Sequence, residues 1–241
     1  MNNILIKVEN LVKTFGGLVA LNDCSLEIKD KAITGIIGPN GSGKTTLFNV
    51  ITGNLKPDTG KVFYNGVEIT NEESHDLFHL GVLRTFQIAH EFSNMTVIEN
   101  LMVVPGNQKG ERLLYSLMNS QKIKKEDELI KDKAMEVLKF LKIEHLKNER
   151  AGNLSGGQKK LLELARTMMV DAKIVFLDEV GAGVNKTLLR DISDSILKLN
   201  QDKGYTFCMI EHDFNFISEL CDPVIVLAEG SVLFKGSAEE V

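Results

Sequence analysis

The sequence predicts an α/β fold in which a helical lobe is inserted into a mixed core. Three observations lead there. Residues 33–37 (ITGII) form a nearly all-apolar run of strand length directly ahead of a glycine-rich segment, GPNGSGKT. Strand-like runs return at 173–177 (KIVFL), 205–210 (YTFCMI) and 223–228 (PVIVLA), with helical segments between them, as a parallel sheet with crossovers requires. Between Thr96 and Arg150 the pattern is helical and highly charged, with no strand-like run.

Each element follows in chain order. Residues 4–9 (ILIKVE) and 24–28 (CSLEI) alternate as strands do. KPDTG at 56–60 is turn chemistry, followed by a strand at 61–64 and a turn at Asn65-Gly66. Ser74 to Leu80 suits a short helix stopped by Gly81. Thr96 and Glu99 form a capping box ahead of an apolar stretch. In 126–143, Leu129, Ile130, Met135, Val137, Leu138 and Leu141 recur at helical spacing. The expected organisation is one domain. Residues 1–87 and 151–241 make the α/β core, 88–150 the helical lobe, and the lobe continues into a helix near 155–170.

Composition excludes several classes. The chain has 241 residues, 43% hydrophobic and 25% charged, enough to bury a full core. A net charge of −5, from 28 basic and 33 acidic side chains, argues against a general nucleic-acid binder. No apolar run approaches the roughly 18 residues of a membrane span. The first ten residues, with Lys7 and Glu9, read as a strand and not as a signal peptide. Cys24, Cys208 and Cys221 form no CxxC pair, which suggests buried thiols in a reducing compartment.

Three motifs carry chemistry. Gly38, Pro39, Asn40, Gly41, Ser42, Gly43, Lys44 and Thr45 match G-x-x-x-x-G-K-[ST] between a strand and a helix, the context a phosphate-binding loop needs. Backbone N–H groups can curve around phosphate oxygens there, and the following helix points its N-terminal dipole at the anion. Lys44 would face the β- and γ-phosphates, Thr45 would hold Mg²⁺, and Thr46 lies within reach of a phosphate. Residues 173–179 (KIVFLDE) are an apolar strand ending in two carboxylates, and a doubly buried strand can hold a carboxylate only at its end. Asp178 is placed to hold Mg²⁺ through water, and Glu179 to act as general base. Leu154 to Gln158 (LSGGQ) opens a helix, with Ser155 and Gln158 as a capping box. Capping alone does not explain Gly156 and Gly157, which weaken a helix start, whereas an approaching phosphate does.

With these motifs the whole chain resembles the ATP-binding subunits of ABC transporters. Gly38–Thr45 looks like their Walker A, 173–179 like Walker B and 154–158 like the signature sequence. The resemblance implies a P-loop NTPase core with an N-terminal antiparallel β subdomain and an inserted helical subdomain. It implies that Phe15 stacks on adenine, that Gln87 senses Mg²⁺ and the permease, and that His212 contacts the γ-phosphate. Residues 182–185 resemble the D-loop, and Val180 stands where the family usually has proline. Within the family, FGGLVAL (15–21), RTFQ (84–87), MTVIENLMV (95–103), EHDFNFI (211–217), LCDPVIVLAEG (220–230) and KGSAEEV (235–241) are similar to branched-chain amino acid importer ATPases. The stretch between Val104 and Lys131 suits the larger of the two ATPases such systems use. Urea and short-amide importers have similar ATPases.

The resemblance further implies ATP and Mg²⁺ as ligands and head-to-tail pairing with a second ATPase, identical or not. Each ATP would lie between one P-loop and the partner's Ser155, Gly156, Gly157 and Gln158. Permease subunits, a periplasmic or extracellular binding protein and a peripheral place on the inner face of the bacterial cell membrane follow. A soluble ABC protein of translation or DNA repair is the other class. It usually carries two ATPase units or a long coiled coil, and this chain shows neither. A binding-only regulator would not need Lys44, Asp178, Glu179 and His212 together. Lys44→Ala is expected to abolish tight ATP binding, and wild-type affinity in a fluorescent-nucleotide titration would contradict the phosphate-loop reading.

Overall fold

The computed structural model describes residues 3–85, 91–106, 108 and 120–241, and Gln87 lies outside the described residues. Two compact units arise. The first draws on Met1–Gln87, Ala172–Ala182 and Ile196–Val241, and the second on Ile88–Asp171 and Gly183–Ser195.

The first unit contains two sheets. An antiparallel sheet has the order β2-β1-β4-β5, from Leu18–Lys29, Ile4–Phe15, Thr59–Tyr64 and Val67–Glu68. β1 and β2 are each 12 residues, longer than the 4–9 and 24–28 that alternation suggests. The reason is local. The β1–β2 register shifts in several places, one of them between Val8 and Leu11. Asn10 and Asp23 both adopt left-handed backbone, at φ 49 and 54, and bond to each other at 2.6 Å. These bulges break the period of two while the pairing continues to Phe15 and Leu18 at the hairpin tip.

The second sheet has the order β10-β9-β3-β8-β7-β6. β3 is Ile33–Ile37, β6 Val82–Arg84, β7 Ile174–Asp178, β8 Thr206–Ile210, β9 Val224–Ala228 and β10 Ser231–Gly236. β9, β3, β8, β7 and β6 run parallel, and β10 closes one edge antiparallel. Every residue of β7 and β8 is buried, which is why they read as continuous apolar runs. Helix α1 (Lys44–Ile51) buries Leu47, Phe48, Val50 and Ile51. One buried cluster joins them to β1, β2 and β4 of the first sheet and to β3, β7, β8 and β9 of the second. Phe48 meets Phe176 of β7 edge to face, with centroids 5.0 Å apart. Helix α2 (Ser74–His79) ends at Leu80, before Gly81.

In the second unit, α3 (Val97–Met102) starts from the Thr96–Glu99 capping box. Its approach is stapled by the fully buried Asn100, whose amide donates to the carbonyls of Phe92 and Thr96 and accepts from Phe92 N at 2.8 Å. Helix α4 (Ser120–Phe140) turns Ala134, Val137 and Leu138 inward. Leu129, placed on the apolar stripe by spacing, is 70% exposed. Helix α5 (Gly156–Met168) buries Leu161, Leu162, Leu164 and Ala165. Helix α6 (Lys186–Lys203) begins in this unit, and α7 (Phe214–Leu220) belongs to the first.

Asn100→Ala should lower stability by about 1–3 kcal/mol, because the Phe92 groups lose their buried partner. Urea denaturation measures this, and a loss below a few tenths would show that water replaces the amide.

Candidate active site

Parallel strands buried on both faces can present polar groups only at their ends, so reactive side chains collect where such strands stop. Register brings three ends together. Ile36 of β3 pairs with Ile210 of β8, and Ile210 pairs with Asp178 of β7. Gly38, His212 and Glu179 each follow within two residues.

The loop after β3 is shaped by close packing. A Cβ on Gly38 would sit 2.1 Å from Leu227 O and 2.8 Å from Ser42 Oγ, so no side chain fits. At Gly38 the constraint is β9, whose Leu227 carbonyl occupies the place of a side chain. Lys44 is 6% exposed, and its ammonium donates to Gly38 O at 2.7 Å and Pro39 O at 2.9 Å. Burial lowers its pKa, while the charges of Glu179 and Asp178 oppose that shift. Ser42 Oγ is buried and has no hydrogen-bond partner among the described residues. Thr45 is exposed at the start of α1, and Thr46 is half-buried.

Asp178 is 1% exposed. Its Oδ2 accepts from Arg84 Nη2 at 2.8 Å. Arg84 also donates to Asn49 of α1 and lies over the Phe48 ring, 5.8 Å from its centroid. Motif reading missed this side chain's contribution, because its carboxylate partner lies 94 residues away.

Glu179 is left-handed, at φ 50, where a non-glycine residue stores strain of about 1–3 kcal/mol. Its amide donates to Ile210 O at 3.0 Å, and its Oε1 lies 3.1 Å from His212 Nε2. Phe15 stands 49% exposed at the hairpin tip, with Lys13 Nζ 5.7 Å from the ring centroid. Asp58 holds the strand just before it, accepting from Thr14 N, Thr14 Oγ1 and Lys13 Nζ, each at 2.7 Å. Those bonds, Lys13's first, bring its pKa down to about 2. An open cavity of about 300 Å³ is lined by Phe15, Leu18, Ala20, residues 40–46, Glu179 and His212. The sequence reading quoted Leu18 within FGGLVAL but did not assign it to the site, since its place there depends on the hairpin turn.

The signature segment lies in the second unit. Ser155 Oγ accepts from Gln158 N at 3.4 Å, and Gln158 Oε1 accepts from Ser155 N at 2.9 Å. A Cβ on Gly157 would come 2.2 Å from Leu188 Cδ2 and 3.2 Å from Val184 Cγ1. Gly157 thus packs against the Leu188 and Val184 side chains at the start of α6, a contact that a shift of the Leu188 side chain would relieve. Gly156 is exposed, with nothing within 4 Å of a Cβ, so packing does not explain it. Gln87 falls outside the described residues.

A glycine loop and lysine after a parallel strand, a strand ending in Asp-Glu and an open cavity between them define a P-loop nucleoside triphosphatase. The family model for ABC transporters matches residues 21–182. A protein of Archaeoglobus fulgidus described as a probable branched-chain amino acid transport ATP-binding protein, LivG, is 43% identical over 237 residues, 98% of this chain and 91% of its own length. The high-affinity branched-chain amino acid transport ATP-binding protein LivG of Escherichia coli K12 is 33% identical over 241 residues, 100% of this chain and 94% of its own. The ADP conformation of an ATP-binding cassette of an ABC transporter superimposes with a TM-score of 0.84 at 43% identity, covering 98% of this chain and 92% of that one. A dimeric bacterial ABC transporter cassette gives 0.81 at 25% identity, covering 97% and 99%. The chain belongs to the ABC transporter family, as one of its ATP-binding cassettes.

Arg84→Ala should cost about 3–5 kcal/mol of stability, because it strands the Asp178 charge in a buried setting. Calorimetric or denaturant unfolding tests it; a loss under about 1 kcal/mol would mean that Asp178 finds other solvation.

Proposed function

We propose that this cassette energises an importer of branched-chain or other hydrophobic amino acids by hydrolysing MgATP. The observation that carries the ATPase chemistry is the cavity joining Phe15, the 40–46 loop, Glu179 and His212. The substrate class rests on full-length relatives at 33–43% identity whose names give branched-chain amino acid transport.

The residues suit the nucleotide. Phe15 offers an exposed ring for the adenine. The amides of residues 40–46 and the Lys44 ammonium take the phosphates, and the buried Ser42 hydroxyl has hydrogen-bonding capacity to spare. Thr45 and Asp178 supply hard oxygen donors for Mg²⁺. Among the described residues no three His, Cys, Asp or Glu side chains gather as a metal cage. That donor set fits Mg²⁺, which takes one or two protein oxygens and completes its shell with phosphate and water. When bound, the ion neutralises charge on the β- and γ-phosphates. Arg84 orients Asp178, and Gln87 is assigned to the same metal and to sensing the permease.

Glu179 acts as general base on the attacking water, and His212, 3.1 Å away, steadies both the carboxylate and the γ-phosphate. Ser155, Gly156, Gly157 and Gln158 would face the ATP of a second cassette paired head to tail, identical or different. The exposed Ser155 and Gly156 support that reading, as does the dimeric relative. Closure on ATP and opening on products would drive permease subunits served by a periplasmic or extracellular binding protein. No helix among the described residues is long and apolar enough to cross a membrane. The place proposed from the family is peripheral, on the inner face of the cell membrane and held there by the permease.

Glu179→Gln keeps size and hydrogen bonding but loses proton acceptance. Hydrolysis should fall roughly 10²–10⁴-fold while ATP binding survives. Bound ATP should then hold two copies together, and Ser155→Arg added to Glu179→Gln should separate them. Phosphate release and light scattering after size exclusion read both effects. Wild-type hydrolysis in Glu179→Gln would refute the general-base assignment, and a monomer with ATP would point to a different cassette as partner.

A further inference from the structure

The buried acid Glu211 has no part in the chemistry assigned above. It directly follows Ile210, the last residue of β8, and precedes His212. It is 5% exposed. A carboxylate so placed is costly unless its oxygens are satisfied. Here the partner is a main-chain donor: Oε1 accepts from Gly181 N at 2.8 Å. Gly181 and Val180 are the two residues after Glu179.

That bond bears on the conformation of Glu179. Its own amide is tied to Ile210 O, and the Gly181 amide two residues on is tied to Glu211. Glu179 sits at φ 50, a conformation that a non-glycine residue keeps only when its surroundings over-determine it. The residue on the far side of Glu211 is His212, whose ring meets the Glu179 carboxylate. One buried side chain thus joins both members of the Glu179–His212 pair. Burial, the largest influence, raises the Glu211 pKa, the Gly181 bond opposes this, and Glu179 adds repulsion. The geometry needs no particular protonation state, because an acid and a carboxylate both offer acceptor oxygens.

We infer that Glu211 is a positioning residue for hydrolysis, holding the backbone after Glu179 so that its carboxylate faces the cavity beside His212. The inference rests on Glu179 being the general base.

The test is steady-state ATP hydrolysis by the full chain, with nucleotide affinity measured by fluorescence titration. Glu211→Ala and Glu211→Met, which remove the acceptor, should lower kcat by roughly 10–100-fold, the size of effect a misplaced catalytic group produces. Glu211→Gln, which keeps the shape and an acceptor for Gly181, should retain a rate near the wild type. KM and nucleotide affinity should stay within about twofold in all three, since the bond Glu211 accepts comes from Gly181, outside the phosphate loop. If Glu211→Ala fails to fold, Glu211→Met, close in size to glutamate, carries the test. Unchanged kcat in Glu211→Met, an equal fall in kcat and affinity, or a loss in Glu211→Gln as large as in Glu211→Met would overturn the inference. Glu179→Gln is measured alongside. Its inactivity together with a wild-type rate for Glu211→Met sinks the positioning role alone, whereas a wild-type rate for Glu179→Gln removes the reading beneath it.

Discussion

The parallel pairing of β3, β8 and β7 is the constraint on which the site depends. These strands lie inside the protein with almost no polar side chain along their length, Thr34 and Thr206 being the buried exceptions. Charged groups can appear only where the strands end. Because the register aligns Ile36, Ile210 and Asp178, the three ends are neighbours. A lysine loop, a histidine and two carboxylates from distant parts of the chain therefore meet without any long-range motif being needed. Helix α1 is fixed against the same strands through Phe48 and Phe176, which keeps Lys44 and Thr45 at the mouth.

Concentrating charge at strand ends creates a solvation problem, which the chain solves with local partners. Asp178 is met by Arg84, and Arg84 by Asn49 and the face of Phe48. Lys44 is met by two carbonyls of its own loop. Glu211 is met by the Gly181 amide. Removing any one partner exposes another buried charge, so the groups around the cavity are coupled and their effects should not simply add.

Local features were legible in the sequence. The Thr96–Glu99 and Ser155–Gln158 capping boxes, the Asn65-Gly66 turn and β3 all depend on residues a few positions apart. The phosphate loop was legible for the same reason, and the resemblance to a family added the order of the motifs. Features set by long-range contact were not legible. Arg84 and Glu211 look like ordinary charged residues until the sheet brings Asp178 and Gly181 to them. Asp58 reads as turn chemistry, yet it anchors Thr14 beside Phe15. Bulges at Asn10 and Asp23 hid most of the first hairpin by breaking its alternation. The glycine at 38 was visible, but the Leu227 carbonyl that demands it was not.

The two hydrogen bonds that Lys44 donates to Gly38 O and Pro39 O have a thermodynamic consequence. An anion that engages this ammonium competes with two carbonyls already in contact with it. Binding is then an exchange of partners, and the heat released reports the difference between old and new bonds. Calorimetry on this cassette would understate the attraction between lysine and phosphate, and the loop's own carbonyls would account for the shortfall.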